Sequence, residues 1–353
     1  MKDRLAHWAV PLLFAGLCLF GIIAAEIQPN FLLREILARF ARNGVLVLSL
    51  LIPILAGLGL NFGMVVGAMA GQVAAIMVTY WGIGGIAGFG LAFLIAVPFA
   101  VLFGWLTGML FNKAKGREMV TGLIAAFFSN GLYQLVFLFA VGSVLIPFDR
   151  ADMLLPQGFG LRNTVDLTAI QYAVDDLIPI KMYIQGSFVR LPLVTLIVLG
   201  LFCLFNVFFV RTKLGQELRA MGQDPHVAAT AGINVDRNRI IAVIISTIFA
   251  AWGQLFFMQN IGTFNTYNSH EQVGMFSIAA LLVSGATVTR ATVPQALLGT
   301  LLFHTLFIVS PLAGKAIAGD AQVGEYFRVF VAYAVITVAL ALHAWQKLRK
   351  KKG

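Results

Sequence analysis

An all-α polytopic membrane protein with about ten transmembrane helices is predicted by three observations. The 353 residues are 59% hydrophobic and 11% charged, with a mean hydropathy of +0.89; a soluble domain carries roughly 25% charged residues. The chain also divides into apolar stretches close to the ~20 residues that a membrane helix needs. Finally, the basic residues segregate: 16 of the 25 Lys and Arg fall on one side of the alternating topology, the side that is cytoplasmic by the positive-inside bias.

In order, the first half (1–146) holds five spans, near 9–25, 44–60, 62–80, 88–111 and 119–146. The first of them has too long an uncharged run for a signal-peptide core of about 7–15 residues, so it is expected to be retained. Between the first two, Phe31–Phe40 carries Phe, Leu and Ile at helical spacing beside Arg34, Arg39 and Arg42; an amphipathic helix in the outer interface is expected there. The long polar stretch 147–190, with Asp149, Asp152, Asp166, Asp175 and Asp176, lies on the outer side. A segment of this length calls for a function, so short helices and a docking role are expected of it. The second half (191–353) holds five further spans, near 191–210, 240–260, 273–289, 291–310 and 326–345, the eighth and ninth being separated only by Ala286–Pro294. Five spans per half would insert a duplicated half upside down, so a 5+5 inverted repeat is expected; Gly-rich regions at 57–71 and 285–299 occupy the two halves.

The topology places both termini in the cytoplasm, with Lys2 and Arg4 at one and the tail from Lys347 at the other, together with the 211–239 loop. The net charge of +10 is therefore explained by membrane orientation without nucleic acid. Cys18 and Cys203 both sit in apolar runs, with no Cys or His cluster nearby, so neither a disulfide nor a metal site is readable. Asp175-Asp176 and His270-Glu271 are isolated pairs without a nucleophile–base arrangement and read as solvated loop residues.

The inner loop 211–239 is the most informative segment. Asp224 suits a helix N-cap, Pro225 the first helical position, and Gly232 a left-handed stop beyond Ala228, Ala229 and Ala231. A two-turn helix results, either seated in another protein's groove or parked on the bilayer. From Lys213 to Ile233 the loop resembles the coupling loop of ABC-transporter permeases of the ribose and branched-chain amino-acid type. The matching positions are Gly215, Leu218, Arg219, Ala220, Gly222, Asp224, Ala228, Ala229, Gly232 and Ile233. Pro29-Asn30-Phe31, Asn61-Phe62-Gly63 and Ser284-Gly285-Ala286-Thr287 extend the resemblance along the chain. It implies a permease of the bacterial inner membrane in which Arg219, Gly222, Asp224, Pro225, Ala228, Ala229 and Gly232 couple to a separate ATPase. ATP and Mg would be bound on that ATPase, with no cofactor on this chain. An extracytoplasmic substrate-binding protein and a second permease subunit, identical or homologous, are the other implied partners, with lipid around them.

Two residue patterns fit that expectation. No GxxxxGK[ST] occurs, and the spans contain almost no ionisable groups, without the intramembrane carboxylates that ion-coupled carriers use, so energy is expected from another chain; an ion-coupled secondary transporter is the alternative of another class. Neutral polar residues remain in the spans: Asn61, Gln72, Asn130, Gln134, Gln254, Gln259 and Asn260, with a lone His304. Each serves either interhelical hydrogen bonding or contact with a small polar solute, a simple sugar or nucleoside in the first place and a branched-chain amino acid or flavin in the second. Gly59, Gly63, Gly67 and Gly71 recur every four residues, a spacing that lets helices approach closely, within one subunit or at a dimer seam.

Overall fold

The computed structural model describes residues 2–184 and 187–352. The side chains of Lys2 and Arg4 and of the basic tail from Lys347 lie outside the described residues. Each predicted apolar stretch holds a helix: α1 Lys2–Ala24, α2 Pro29–Leu48 with α3 Leu51–Leu55, α4 Met64–Trp81, α5 Gly85–Lys113 and α6 Glu118–Leu135, then α7 Leu193–Phe209, α10 Val235–Ile261, α11 Ser269–Val283, α12 Val293–Ala318 and α13 Ala321–Lys352. Two short helices, α8 Lys213–Gln223 and α9 Pro225–Thr230, join α7 to α10. In lipid a helix is the one open-ended element that satisfies its own backbone, which is why the apolar stretches take this form. Six segments, among them α2 with α3 as one 27-residue span, are long and apolar enough to cross a membrane, and α7 with α8 forms a further, bent pair. The chain is an all-α, multi-pass membrane protein.

The arginine-bearing stretch is not a separate interfacial helix. Pro29 starts α2, and the helix runs unbroken through Arg34, Arg39 and Arg42 into the bundle. Guanidinium groups persist there because the protein engages them: Glu35 lies 3.5 Å from Arg39, and Arg42 donates to Asn260 at 3.0 Å. The spans thus carry more charge than the sequence pattern indicated.

Helix α10 is the centre of the molecule. Gly67 and Gly71 of α4 admit its backbone so closely that a Cβ would lie 2.5 Å from the Thr247 carbonyl oxygen and 2.4 Å from that of Ala251. On α5, Cβ atoms at Gly104 and Gly108 would meet Thr247, Ile244 and Ile240 at under 3.0 Å. Here the glycines pack helices within one subunit. Gly59 and Gly63 belong to the same spacing but not to the same helix face: Gly63 is the N-cap of α4, and Gly59 lies in the irregular link before it with φ of +75°.

Two such links interrupt the bundle at the α8–α9 end, 56–63 between α3 and α4 and 284–292 between α11 and α12. They approach each other, since a Cβ on Gly59 would be 3.2 Å from Val288 and 3.1 Å from Met119. Beside them Arg239 and Glu118 form a buried ion pair of 2.5 Å, with Arg239 also donating to Asn112 and to the Phe111 carbonyl.

The opposite end is built differently from expectation. Where short helices were expected, the chain forms β1 Thr164–Asp166, β2 Ile180–Ile184 and β3 Ser187–Leu191, with a single 3-10 turn at Thr168–Ile170 among the described residues. β1 pairs antiparallel with β4 Thr263–Asn265, and β2 with β3. Gly262 ends α10 with φ of +79°, turning the chain back beside the distant Thr164-Val165-Asp166, whose alternate burial is that of a strand. Arg150 ties this layer to the bundle, donating to the carbonyls of Thr79 and Tyr80 at the end of α4 while its hydrogen bond to Asp152 holds that carboxyl below the usual range.

Candidate functional site

At the α8–α9 end the predicted coupling residues form one compact corner. Thr212 caps α8 by accepting from the Gly215 amide at 3.1 Å. The next cap follows at once: Asp224 accepts from the amides of His226 at 2.8 Å and Val227 at 3.1 Å, with Pro225 at the first helical position. Gly232, at φ of +83°, turns the chain after α9, and Asn234 caps α10 by accepting from the Arg237 amide. Leu218 and Met221 bury α8 against Ile52, Phe111, Ala242 and Val243, and Ala228 anchors α9, while Arg219, Pro225, His226, Val227 and Ala229 stay exposed.

Gly222 adds a backbone contact between this corner and the bundle. A Cβ there would lie 2.1 Å from the Leu55 carbonyl oxygen and 3.1 Å from the Gly57 amide. Only glycine lets α8 press its backbone onto the start of the 56–63 link. A cleft of about 840 Å³ opens beside it, between Gly57, Gly59, Glu118, His226 and Val288.

The seven neutral polar residues separate into three groups. Asn61, in the 56–63 link, donates to Ser246 of α10 at 3.0 Å, and Ser246 donates to the Ser49 carbonyl at 2.7 Å. In the middle of the bundle Gln72 bonds His270 Nδ1 at 2.8 Å, and His270 Nε2 bonds Asn130 at 2.9 Å. Asn130 continues to Glu271 and accepts from Gln134, while Gln254 donates to Ser269. Towards the β-strand end, Asn260 joins Arg42 to Asp175, and Gln259 accepts from the Val174 amide.

Two residues read as solvated from sequence are buried links in these groups: His270 is 0% exposed and Asp175 is 3% exposed. For His270 a signal existed. It shares a face of α11 with Gly274 and Ser277, four and seven residues on, and Gly274 packs on Val65 of α4. Asp175 carries no such pattern; its burial depends on Thr195, twenty residues away, and on Asn260. His304 is buried in α12 with its ring edge-on to Phe303. Among the described residues no group of His, Cys, Asp and Glu is placed to hold a metal ion.

Residues 32–340 match the family described as the branched-chain amino acid transport system permease component. The chain belongs to this permease family. It is 23% identical over 261 residues to the galactose/methyl galactoside import permease protein MglC of Escherichia coli, covering 74% of this chain and 68% of that protein. The corresponding protein of Salmonella typhimurium is 24% identical, over 56% of this chain and 51% of its own. The guanosine ABC transporter permease protein NupQ of Bacillus subtilis is 26% identical, over 52% of this chain and 63% of its own. No solved structure matches the chain. The family makes the chain a transport-system permease component, built on a membrane-embedded helical bundle.

Proposed function

We propose that this chain is the membrane subunit of an ATP-binding-cassette importer that carries a small neutral polar solute, a simple sugar or a nucleoside. The observation that carries the proposal is the fit of Gly222 against Leu55 and Gly57. Helix α9 is the coupling helix, seated on a separate ATPase that holds ATP and Mg. Its displacement presses on the 56–63 link through Gly222, and Asn61 passes the movement to α10 through Ser246. The solute path runs past the Gln72–His270–Asn130 group. The α8–α9 end and both termini face the cytoplasm, the β-strand end receives an extracytoplasmic binding protein, and a second permease subunit completes the path, the two five-helix halves of each being an inverted repeat. Support for the solute class comes from the amide-rich interior and from the galactoside and guanosine permeases among the relatives.

The test is ATP hydrolysis by the chain reconstituted with the ATPase and binding protein encoded beside it, screened with sugars, nucleosides, flavins and branched-chain amino acids. Stimulation by a binding protein loaded with a sugar or nucleoside is the expected result. Absence of any associating ATPase overturns the reading, and stimulation by leucine alone overturns the solute class.

A further inference from the structure

We infer that Arg42, Asn260, Asp175 and Gln259 form a binding subsite for a neutral, hydroxyl-bearing solute at the β-strand end of the bundle, an inference that rests on the importer reading. These residues come from three places. Arg42 projects from α2, Gln259 and Asn260 from the last turn of α10, and Asp175 from the segment folded over them. Asn260 accepts from Arg42 at 3.0 Å and donates to Asp175 at 3.1 Å, and Asp175 also accepts from the Thr195 hydroxyl.

The group has hydrogen-bonding capacity to spare. Gln259 is 0% exposed, yet its Nε2 has no partner, and the buried Nε of Arg42 has none. A buried donor left unbonded costs about 1–3 kcal/mol, so such donors persist where something else comes to satisfy them. Asp175, with two bonds made, retains lone pairs, since a carboxylate offers about four acceptor positions. Two free donors and an acceptor thus belong to one connected group.

That arrangement selects a chemistry. A hydroxyl both donates and accepts, so a polyol can donate to Asp175 and accept from Gln259 and Arg42 together. The charges of Arg42 and Asp175 offset each other, so a solute with net charge meets an opposing group on one side. Asn260 holds the two charges a full amide apart, wider than the neighbouring ammonium and carboxylate of a free amino acid. Aromatic surface lies alongside, Phe257 under the Arg42 guanidinium at 5.3 Å and Tyr172 under that of Arg190 at 5.1 Å, which suits the apolar face of a sugar ring. Residues 172–174 cover the group: the Tyr172 amide donates to the Gln259 backbone carbonyl at 3.0 Å, and the Val174 amide reaches the Gln259 side chain only at 3.5 Å, long for a hydrogen bond. A solute enters by displacing residues 172–174 from Gln259, while Asp175 keeps its bonds to Thr195 and Asn260.

Equilibrium binding of radiolabelled D-galactose, guanosine and L-leucine to the full chain in lipid nanodiscs, without other subunits, tests this. Galactose or guanosine is expected to bind, with Kd raised at least tenfold by Asp175→Asn and by Arg42→Gln and unchanged by Asp152→Asn. Gln259→Met removes the unbonded donor, together with the long bond from the Val174 amide, and keeps the test open where Arg42→Gln fails to insert; a three- to tenfold rise in Kd is expected. Failure of both hydroxylated probes to bind, wild-type affinity in all three subsite variants, or equal binding of leucine overturns the subsite. The same preparation is assayed for ATPase association. Association without binding overturns the subsite alone, and binding without association overturns the importer reading alone.

Discussion

The two ends of the bundle are held by different kinds of contact. At the α8–α9 end the decisive approaches are backbone on backbone: Gly222 on Leu55, and Gly215 so close to the end of α7 that a Cβ would be 2.0 Å from the Phe209 carbonyl oxygen. At the β-strand end, beside the backbone pairing of β1 with β4, polar side chains add connections, with Asp175 on Thr195 and Asn260, Tyr267 on the Leu161 carbonyl, and Thr266 on that of Arg162. A close-packed backbone contact transmits displacement because there is no free volume to absorb it. Side-chain hydrogen bonds can instead exchange partners with an incoming polar solute at little net cost. One end is built to be pushed and the other to be opened, and substitutions that respect volume but not polarity, or the reverse, separate the two.

The largest effect is expected from Gly222→Val. Its branched side chain has no space against the Leu55 carbonyl, and a peptide backbone yields less readily than a side chain, so α8 must lift from the 56–63 link. ATP hydrolysis stimulated by loaded binding protein is expected to fall at least tenfold, while membrane insertion is retained because the residue lies outside the spans. Retained stimulation in the reconstituted complex would break the comparison at its stronger end.

A smaller but still large effect is expected at the base of the same end. Arg239→Met leaves Glu118 buried without its partner, and losing one member of a buried pair costs about 3–5 kcal/mol. Replacing both, as Arg239→Met with Glu118→Leu, is expected to recover most of the loss, since the pair's own desolvation cost disappears with it. Thermal unfolding in detergent reads both. If the double variant is no more stable than the single one, the Asn112 and Phe111 contacts of Arg239 hold this corner together and the ion pair does not.

How far the sequence carried this picture follows from the range of the interactions. The α8–α9 corner was legible because its parts are local: Asp224 caps amides two and three residues ahead, and Gly232 turns the chain just past the Ala231 C-cap of α9. The spans were legible from composition, since each must bury its own backbone in lipid. What was not legible depends on distant residues. Nothing near Arg42 in sequence engages it, so the pattern points to a membrane surface, whereas its partner Asn260 is 218 positions away. The strand β1 finds its pairing partner only when α10 ends at Gly262, roughly a hundred residues later. The polar residues of the interior were identified one by one, but their grouping, with His270 as the bridge between Gln72 and Asn130, needs the packing of α4, α6 and α11.

The smallest effect sharpens the contrast most. Asp224→Ala removes the cap of α9 and leaves the volume of the corner nearly unchanged, so about 1 kcal/mol of local helix stability is expected to go. Seating of Gly222 on Leu55 does not depend on that carboxylate, and neither does the burial of Leu218 and Met221. The loss should therefore appear as faster hydrogen exchange at the His226 and Val227 amides, with α8 protected as before and stimulated ATP hydrolysis reduced only a few-fold. Asp224→Ser, which restores an acceptor, should return most of the protection. If Asp224→Ala instead abolishes stimulation as fully as Gly222→Val, the order of the cap matters as much as the fit of the backbone, and the corner acts as one rigid body whose weakest bond sets its response.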